Sequence, residues 1–248
     1  MAEILQPHIK LAEVSQYCIL TGNPDRVPLI ASYLDHATKV ADHRGLIAFK
    51  GVTKNKRVPV TILTTGMGTG SSALVLEEAF RAGGRDFLRI GSTGSLQPGA
   101  DHGIGSIYIP FGAIRDEGTS DRIAPPAVPA VAYPTLHSAL IESAQELRIN
   151  STTGLIWTTD VYYQPDFDVF KKWAAFGATC VEMESSLLFT FCASKNYEAR
   201  SATILISDGN LNEDKSIYVG DTEENIQKFN AGVEKSISVT LSAIEYLN

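Results

Sequence analysis

The stretch that decides the fold class is YCILTGNPDRVPLIASYLD, residues 17–35. It begins with a short apolar run that ends at Gly22, which is the pattern of a buried strand. The residues from 25 to 35 then predict a helix, with Asn23 as its cap before Pro24. A strand followed at once by a helix is the repeating unit of α/β proteins.

The same alternation of strand and helix continues along the rest of the chain. Strands are predicted at 46–66 (two strands around a polar turn), 86–95 (a strand that runs into a glycine-rich turn), 105–114, 152–159, 180–182 and 199–209. Helices are predicted at 71–84, at 135–149, at 167–177, from 183 to about 195, and over an amphipathic C-terminal segment. We interpret the proline-rich segment 117–134 as one surface loop and expect a single domain over residues 1–248. The fold class predicted is α/β, with a central mixed, largely parallel sheet flanked by helices.

Composition and charge narrow the classes of function. The 248 residues are 44% hydrophobic and carry a formal net charge of −7. This charge argues against nucleic acid as a partner, because phosphate backbones require a basic face. No apolar run approaches the roughly 20 residues of a membrane helix, so no membrane association is expected. Three cysteines without paired spacing indicate reduced thiols and a cytoplasmic location, and the histidines and cysteines show no metal-site spacing.

Polar and basic side chains follow several predicted strands at their carboxyl ends, where ligands bind in such sheets. Arg26 follows Gly22 in the first turn of a helix, which suits a phosphate; a plain turn with a surface arginine is the alternative. Arg89 is embedded in a strand pattern, and Gly91 and Ser92 could share an anion with it, because arginine is rarely buried unpaired. Asp208 stands at a strand end, where partial burial would suit it to general acid catalysis; an Asx-type turn is the alternative.

The stretch CVEMESS, residues 180–186, places Glu182 and Glu184 just before a long apolar run. A buried carboxylate is costly unless something pairs with it. One interpretation is a helix start, where acidic residues suit the dipole. The other is that a ligand supplies the partner.

The dinucleotide fingerprint, the P-loop lysine and the GxSxG elbow are all missing from the sequence. Their absence argues against a dinucleotide-dependent enzyme, a P-loop nucleotide-binding enzyme and a hydrolase with a serine nucleophile.

The order of the motifs resembles the nucleoside phosphorylase family of the hexameric type, which includes purine nucleoside phosphorylases and uridine phosphorylases. The matching motifs are, in chain order, GNPDR, HRG, GMG, RIGSTGS, DVYYQP, VEME and SDG. The resemblance implies that a nucleoside and phosphate are converted to a free base and an α-pentose 1-phosphate. It implies no metal or organic cofactor, because inorganic phosphate is the second substrate. It also implies a homohexamer, a trimer of dimers that shares its sites across each dimer.

The resemblance further implies a role for each matching residue. The implied phosphate-binding residues are Gly22, Arg26, Arg44, Arg89 and Ser92. The implied nucleoside-binding residues are His8, Tyr162, Val181, Glu182, Met183 and Glu184. By the same resemblance, Arg44 and His8 come from a neighbouring subunit, and His8 meets the ribose 5′-hydroxyl. Tyr162 packs on the nucleoside, with Tyr163 as a register alternative. Glu184 accepts hydrogen bonds from the ribose 2′- and 3′-hydroxyls, Glu182 lies nearer the base, and Asp208 protonates the leaving base.

The sequence has features of both the uridine branch and the purine branch of the family, which differ in the base of their substrates. FLRIGSTG and IRDEGTS resemble the uridine branch, but QPDFDVFKKW (164–173) lacks the Gln-x-Arg pair with which that branch holds the pyrimidine. SDG, with Asp208, is the purine-branch pattern. We therefore expect purine nucleosides, with uridine as the alternative. A hydrolytic nucleosidase of the same fold would lack the phosphate arginines, and a non-catalytic nucleoside-binding relative is a further alternative.

Overall fold

A computed structural model describes residues 5–97, 99, 102–210 and 222–248 of the chain. The strands of this part are β1 Tyr17–Thr21, β2 Asp35–His43, β3 Leu46–Val52, β4 Pro59–Thr64, β5 Asp86–Ser95, β6 Ile107–Tyr108, β7 Gly112–Asp116, β8 Ala130–Val131, β9 Ser151–Thr152, β10 Leu155–Thr159, β11 Ala178–Glu182 and β12 Arg200–Asn210. The helices are α1 Arg26–Ala31, α2 Gly68–Arg81, α3 Ser120–Ile123, α4 Pro134–Glu146, α5 Asp168–Ala175, α6 Ser185–Ser194 and α7 Glu223–Tyr246.

All of these strands belong to one mixed sheet. Its main path runs β2-β3-β4-β1-β5-β11-β10-β7-β8, while β12 pairs with β5 and β6, and β9 pairs with β6. The centre of the sheet is parallel: β1 pairs in parallel with β4 and β5, β5 with β12, and β10 with β7 and β11. The two parallel halves meet at β5 and β11, which are antiparallel, so that Val181 lies opposite Gly94 near the carboxyl ends of both strands.

Two apolar layers cover the two faces of this sheet. In β1, Ile19 faces a layer that includes residues of α1, α4 and α7, whereas Cys18 and Leu20 face a layer that includes residues of α2 and α6. Successive side chains of a strand point to opposite faces, so a strand that is apolar throughout serves both layers. The predicted fold class, an α/β fold with a mixed sheet between helices, is confirmed. The single domain over residues 1–248 stays a prediction. Within the described residues, no helix combines the length and the apolar character that crossing a membrane requires.

The largest difference from the sequence prediction lies at one edge of the sheet. The helix predicted over 25–35 ends at Ala31, and Asp35–His43 forms β2, which pairs antiparallel with β3. Polar, partly exposed residues make up much of β2, as in edge strands, and such a strand gives no apolar run. Asn23 is not the helix cap: its Oδ1 accepts the Asp25 amide at 2.9 Å, which is an Asx turn.

Three other boundaries also differ from the prediction. The glycine-rich residues 91–95 are part of β5 and not a turn, because they pair with β12. The strands predicted at 105–114 and 152–159 are each divided in two. The segment predicted as a long loop, 117–134, contains α3 and β8. Two of these differences concern the connections between strands, and the third concerns the extent of the central strand β5.

Candidate active site

A cavity of about 730 Å³ lies where the carboxyl ends of the two halves of the sheet converge. Ten of the residues singled out from the sequence line it: Gly22, Arg26, Arg89, Ser92, Tyr162, Val181, Glu182, Met183, Glu184 and Asp208. They come from segments far apart in the chain, and the sheet brings them together. Concave sites of this size are typical of small-molecule binding.

Two arginines form a positively charged wall of the cavity. Arg26, the first residue of α1, is buried and donates from Nη1 to the Ile90 carbonyl at 3.2 Å and from Nη2 to Ser92 Oγ at 3.1 Å. Burial, together with the charge of Arg89, lowers the pKa of Arg26 to about 10, and Asp208 opposes this. Because the charge of Arg89 disfavours the charge of Arg26, an anion bound beside Arg26 would be attracted to it.

Arg89 has unused hydrogen-bonding capacity although it is buried. Its Nη2 forms an ion pair with Glu184 and lies 4.0 Å from the Glu182 carboxylate. Its Nε and Nη1 have no hydrogen-bond partner among the described residues. The side chain lies against Gly91, where an added Cβ would be 1.4 Å from Nη1. The Arg89 conformation therefore depends on a glycine two residues further along the strand.

The two glutamates of CVEMESS have different environments. Glu182 ends β11 and accepts hydrogen bonds from Thr158 Oγ1 at 2.7 Å, from the Glu184 amide at 2.8 Å and from the Ser185 amide at 2.9 Å. Burial raises the pKa of Glu182, and the charge of Arg89 opposes that rise. The helix-start interpretation thus describes Glu182, whose carboxylate is occupied by groups around the beginning of α6.

Glu184 is held by parts of the protein distant in sequence. Its Oε1 accepts the Gly68 amide at 2.7 Å, and its Oε2 is paired with Arg89. The family resemblance implied that the buried partner of this carboxylate is a bound sugar. In the structure the protein supplies partners to both oxygen atoms, so any ligand of Glu184 must share or replace them.

Asp208 lies at an irregularity of β12. The pairing of β12 with β5 shifts register between Ser207 and Gly209, so Asp208 has no counterpart in that ladder. Such bulges redirect a side chain, and here Asp208 lines the cavity. Burial raises the pKa of Asp208 to about 6, against the opposing effects of its backbone hydrogen bond and of Arg26. A carboxyl group that titrates near neutral pH is suited to general acid catalysis.

An aromatic wall completes the cavity. The rings of Tyr162 and Tyr163 are in edge contact, with centroids 5.0 Å apart. Both tyrosines line the cavity, and Tyr162 is the less exposed of the two, at 59% against 88%. Burial, together with the charge of Asp208, raises the pKa of Tyr162. Phe167 and Phe170 add apolar surface.

Several lining residues were not identified from the sequence: Asn23, Met67, Thr159, Gln164 and Phe167. Met67 and Gln164 belong to motifs that the resemblance used, GMG and DVYYQP, and that membership was the available signal. Phe167 was assigned only to a helix, because nothing in its local pattern distinguishes a ligand-facing aromatic residue from a core one.

His8 and Arg44 are not among the described residues that line the cavity. Arg44 is exposed at the turn between β2 and β3, with φ 57°. His8 is held by Glu78, which accepts its backbone amide at 3.0 Å and contacts its ring Nδ1. The Nδ1 of His43 lies 3.0 Å from the His8 carbonyl, so His8 lies beside the turn that carries Arg44. The two residues share one patch, apart from the cavity of their own chain.

In the part of the chain that the structure describes, no three histidine, cysteine, aspartate or glutamate side chains are grouped so as to hold a metal ion. Cys18, Cys180 and Cys192 are free and buried.

Comparison with known proteins gives a consistent family. The model of the Phosphorylase superfamily matches residues 16–245. A uridine phosphorylase of Klebsiella aerogenes is 34% identical over 195 residues, which cover 73% of this chain and 76% of that protein. A guanosine phosphorylase of Halorubrum lacusprofundi is 31% identical over 245 residues, covering 98% of this chain and 99% of that protein.

Solved structures agree with these relatives. The purine nucleoside phosphorylase from Toxoplasma gondii in complex with immucillin-H superposes with a TM-score of 0.87 at 26% identity, covering 100% of this chain and 98% of that one. The uridine phosphorylase from Vibrio fischeri gives a TM-score of 0.87 at 28% identity, covering 98% of each chain. The family match, the relatives and the fold agree: the chain belongs to the nucleoside phosphorylases of the Phosphorylase superfamily.

Proposed function

We propose that the protein catalyses the phosphorolysis of nucleosides, with purine nucleosides as the preferred substrates. The observation that carries this proposal is the content of one cavity. It holds two buried arginines and an aspartate, Asp208, whose pKa burial raises to about 6. Two nitrogen atoms of Arg89 have no hydrogen-bond partner among the residues that the structure describes. The arginines suit an inorganic phosphate, and the aspartate suits proton delivery to a leaving base.

The phosphate would occupy the arginine wall. Its charge would offset the effect of Arg89 on the charge of Arg26, and its oxygen atoms would accept hydrogen bonds from Nε and Nη1 of Arg89, which have no partner among the described residues. Hydrogen bonds from guanidinium nitrogen atoms to phosphate oxygen atoms are charge-assisted and stronger than those between neutral groups. Ser92, which already accepts from Arg26, would supply a hydroxyl to the same anion.

The reaction forms a bond between a phosphate oxygen and C1′ of the sugar while the bond from C1′ to the base nitrogen breaks. The electron pair of that bond leaves with the base, so negative charge develops on the base and positive charge on the sugar. The bound phosphate stabilises the sugar cation. Asp208 gives its proton to the leaving base, and in a purine the atom that receives it is N7. A carboxyl group with an elevated pKa can hold that proton near neutral pH, which is why Asp208 supports a purine substrate.

The sugar would lie between the bound phosphate and Asp208, against Glu184. The carboxylate would accept hydrogen bonds from the 2′- and 3′-hydroxyls as its contacts with Arg89 and the Gly68 amide adjust. Tyr162, or Tyr163 in the alternative register, would pack on the nucleoside. Val181, Glu182 and Met183 would form the adjoining wall.

The proposal includes the assembly and the co-substrate. His8 and Arg44 share a patch outside the cavity, which fits a homohexamer, a trimer of dimers, in which each site receives these residues from its neighbour. Phosphate is the only co-substrate in the proposed reaction, and no metal or organic cofactor takes part. A cytoplasmic location is proposed as well, in keeping with the free cysteines.

Uridine phosphorolysis is the second candidate. It is supported by the similarity of this chain to the uridine phosphorylases of Klebsiella aerogenes and Vibrio fischeri. The two candidates share the phosphate and sugar sites and differ in the base. In the uridine case, protonation by Asp208 at a purine N7 has no counterpart.

The test is base release from inosine, adenosine and uridine, each with and without inorganic phosphate. The proposal predicts release that requires phosphate and is fastest with a purine nucleoside. Release at the same rate without phosphate would identify a hydrolytic nucleosidase. Phosphate-dependent release that is fastest with uridine would replace the purine assignment with the second candidate.

A further inference from the structure

Ser207 stands immediately before Asp208, at the irregularity of β12. In the parallel pairing of β12 with β5, Ser207 lies opposite Thr93 and Gly209 lies opposite Gly94, so Asp208 is the extra residue of a bulge. Bulges are rare in parallel pairs, and they are frequent next to active sites, where they redirect a side chain. The direction of the Asp208 side chain therefore depends on what holds this bulge in place.

The hydroxyl group of Ser207 closes the bulge. Its Oγ donates to the Gly209 carbonyl at 2.8 Å, so this hydrogen bond spans Asp208. A side chain that bonds to the backbone two residues further on fixes the local course of the chain. Removing the hydroxyl would take a donor from the carbonyl of Gly209, which is buried, and would favour a rearrangement of the backbone around Asp208.

The backbone of Ser207 is held on its other side. Its amide donates to the Ser106 carbonyl at 2.9 Å, and its carbonyl accepts the Gly105 amide at 2.8 Å. The segment that supplies these bonds is packed against α7, because a Cβ added at Gly105 would lie 2.4 Å from the Lys228 carbonyl oxygen. Ser207 is thus a fixed point at which the bulge begins.

The hydrogen bonds of Ser207 are made to the protein and not to the cavity. Ser207 is fully buried and is not among the described residues that line the cavity. Asp208 does line it, and the groups that act on its charge or are affected by it, Arg26 and Tyr162, line the same cavity. An effect of Ser207 on the reaction must therefore pass through the position of Asp208.

We propose that Ser207 is a positioning residue, whose hydroxyl maintains the bulge that directs the Asp208 carboxyl group into the cavity and toward the base of the substrate. The inference rests on the proposed function, in which Asp208 protonates a leaving purine. It adds the residue on which the geometry of that proton transfer depends. Proton transfer requires the acid within hydrogen-bond reach of the receiving atom, so a small displacement of the carboxyl group is enough to lower the rate.

A substrate whose base needs no proton tests this role. In the proposed reaction, inosine is protonated at N7 as its base leaves. The base of 7-methylinosine is already positively charged, and it leaves as a neutral molecule when it takes the electron pair of the broken bond. Ser207→Ala should lower kcat/KM for inosine by roughly tenfold to a hundredfold and change kcat/KM for 7-methylinosine by less than about threefold.

The matched control is Ser201→Ala. Ser201 is a buried residue near the beginning of the same strand, and its hydroxyl also donates to a backbone carbonyl, that of Leu188. This variant should leave the ratio of the two kcat/KM values at the wild-type value. If Ser207 only stabilised the fold, Ser207→Ala would lower kcat/KM equally for inosine and 7-methylinosine, and that result would overturn the proposal.

Titration of Asp208 distinguishes a failure of this proposal from a failure of the proposed function, because it requires no turnover. Carbon NMR can follow the carboxyl group of Asp208, whose signal is identified by its loss in Asp208→Asn. The pKa of Asp208 should be about 6 in the wild type and in Ser201→Ala. In Ser207→Ala it should lie at least about one pH unit lower, toward the ordinary value of 3.8, as the carboxyl group leaves its buried position.

The two measurements together separate the possible outcomes. If the protein released no base from inosine but Ser207→Ala lowered the pKa of Asp208 in this way, the proposed function would fail and the positioning role would stand. If Asp208 titrated at the same pH in Ser207→Ala as in the wild type, the positioning role would be overturned, whatever the activity of the two proteins.

Discussion

Replacing Asp208 with asparagine should stabilise the fold at neutral pH, in addition to removing the proposed acid. Burial raises the pKa of Asp208 from its ordinary value of 3.8 to about 6. Between these values the folded state binds the proton more tightly than the unfolded chain does. Stability is therefore lost as pH rises through this window. Each pKa unit corresponds to about 1.4 kcal/mol, so above pH 6 the ionised side chain costs the fold about 3 kcal/mol.

Asparagine has a similar shape but does not ionise, so it avoids this cost. Chemical denaturation should show a gain in the free energy of unfolding of about 1.5 kcal/mol at pH 5 and about 3 kcal/mol at pH 8. The same variant should lose most of its purine turnover. Asp25→Asn is the control: Asp25 is exposed, makes no capping bond to α1, and should change stability by less than about 0.5 kcal/mol at both pH values.

Two results would refute this reasoning. If Asp208→Asn were less stable than the wild type at pH 8, the carboxylate would be a net stabilising partner of Arg26 and not a group held at a cost. If the gain were the same at pH 5 and pH 8, it would come from packing or hydrogen bonding, because a difference that arises from ionisation must follow pH across this window.

The other predictions concern the phosphate and sugar sites. Gly91→Ala puts a methyl group 1.4 Å from Nη1 of Arg89 and should raise the phosphate KM about tenfold and destabilise the fold by about 1–3 kcal/mol, as kinetics and denaturation would show. Gly70→Ala is the control, because a Cβ added at Gly70 meets no described atom within 4 Å. This variant should leave the phosphate KM unchanged and raise the free energy of unfolding by up to about 1 kcal/mol. Arg89→Ala leaves Glu184 buried without its ion pair and should cost about 3–5 kcal/mol; phosphate should raise the melting temperature of the wild type but not of this variant. Glu184→Gln should lower kcat/KM for ribosides more than for 2′,3′-dideoxyribosides, and an equal loss would contradict its contact with the diol.

The central strands could be predicted because burial on both faces leaves a continuous apolar run. Tyr17–Thr21 is buried at every position, and its apolar pattern alone identified it. Asp35–His43 is an edge strand with mixed exposure, so its sequence carries no such run. What makes it a strand is its pairing with Leu46–Val52, and a pairing with a neighbour is not visible in the local pattern.

The candidate site shows a similar division. Arg26, Arg89 and Asp208 were accessible from the sequence as polar residues at strand ends. Tyr162, Val181 and Met183 were implied only by the family resemblance, and all of these residues line one cavity. The bulge that displaces Asp208 from the ladder was not accessible, because it depends on how β12 pairs with β5. The requirement for glycine at position 91 was not accessible either, since it depends on the path of the Arg89 side chain across it.

The arrangement of the two glutamates of CVEMESS was partly visible in the local sequence and partly dependent on the fold. The pattern shows two acidic residues at the edge of a buried segment, and on a regular strand residues two apart point to the same side. Here β11 ends at Glu182 and α6 begins at Ser185, so the chain turns between the two carboxylates. Glu182 accepts hydrogen bonds from backbone amides at the start of α6, while Glu184 contacts Arg89 and the Gly68 amide at the start of α2. The residue proposed to bind the sugar is thus paired with the residue proposed to bind phosphate. A substrate that takes up one of them must change the environment of the other, so the two substrates should influence each other's binding through this ion pair.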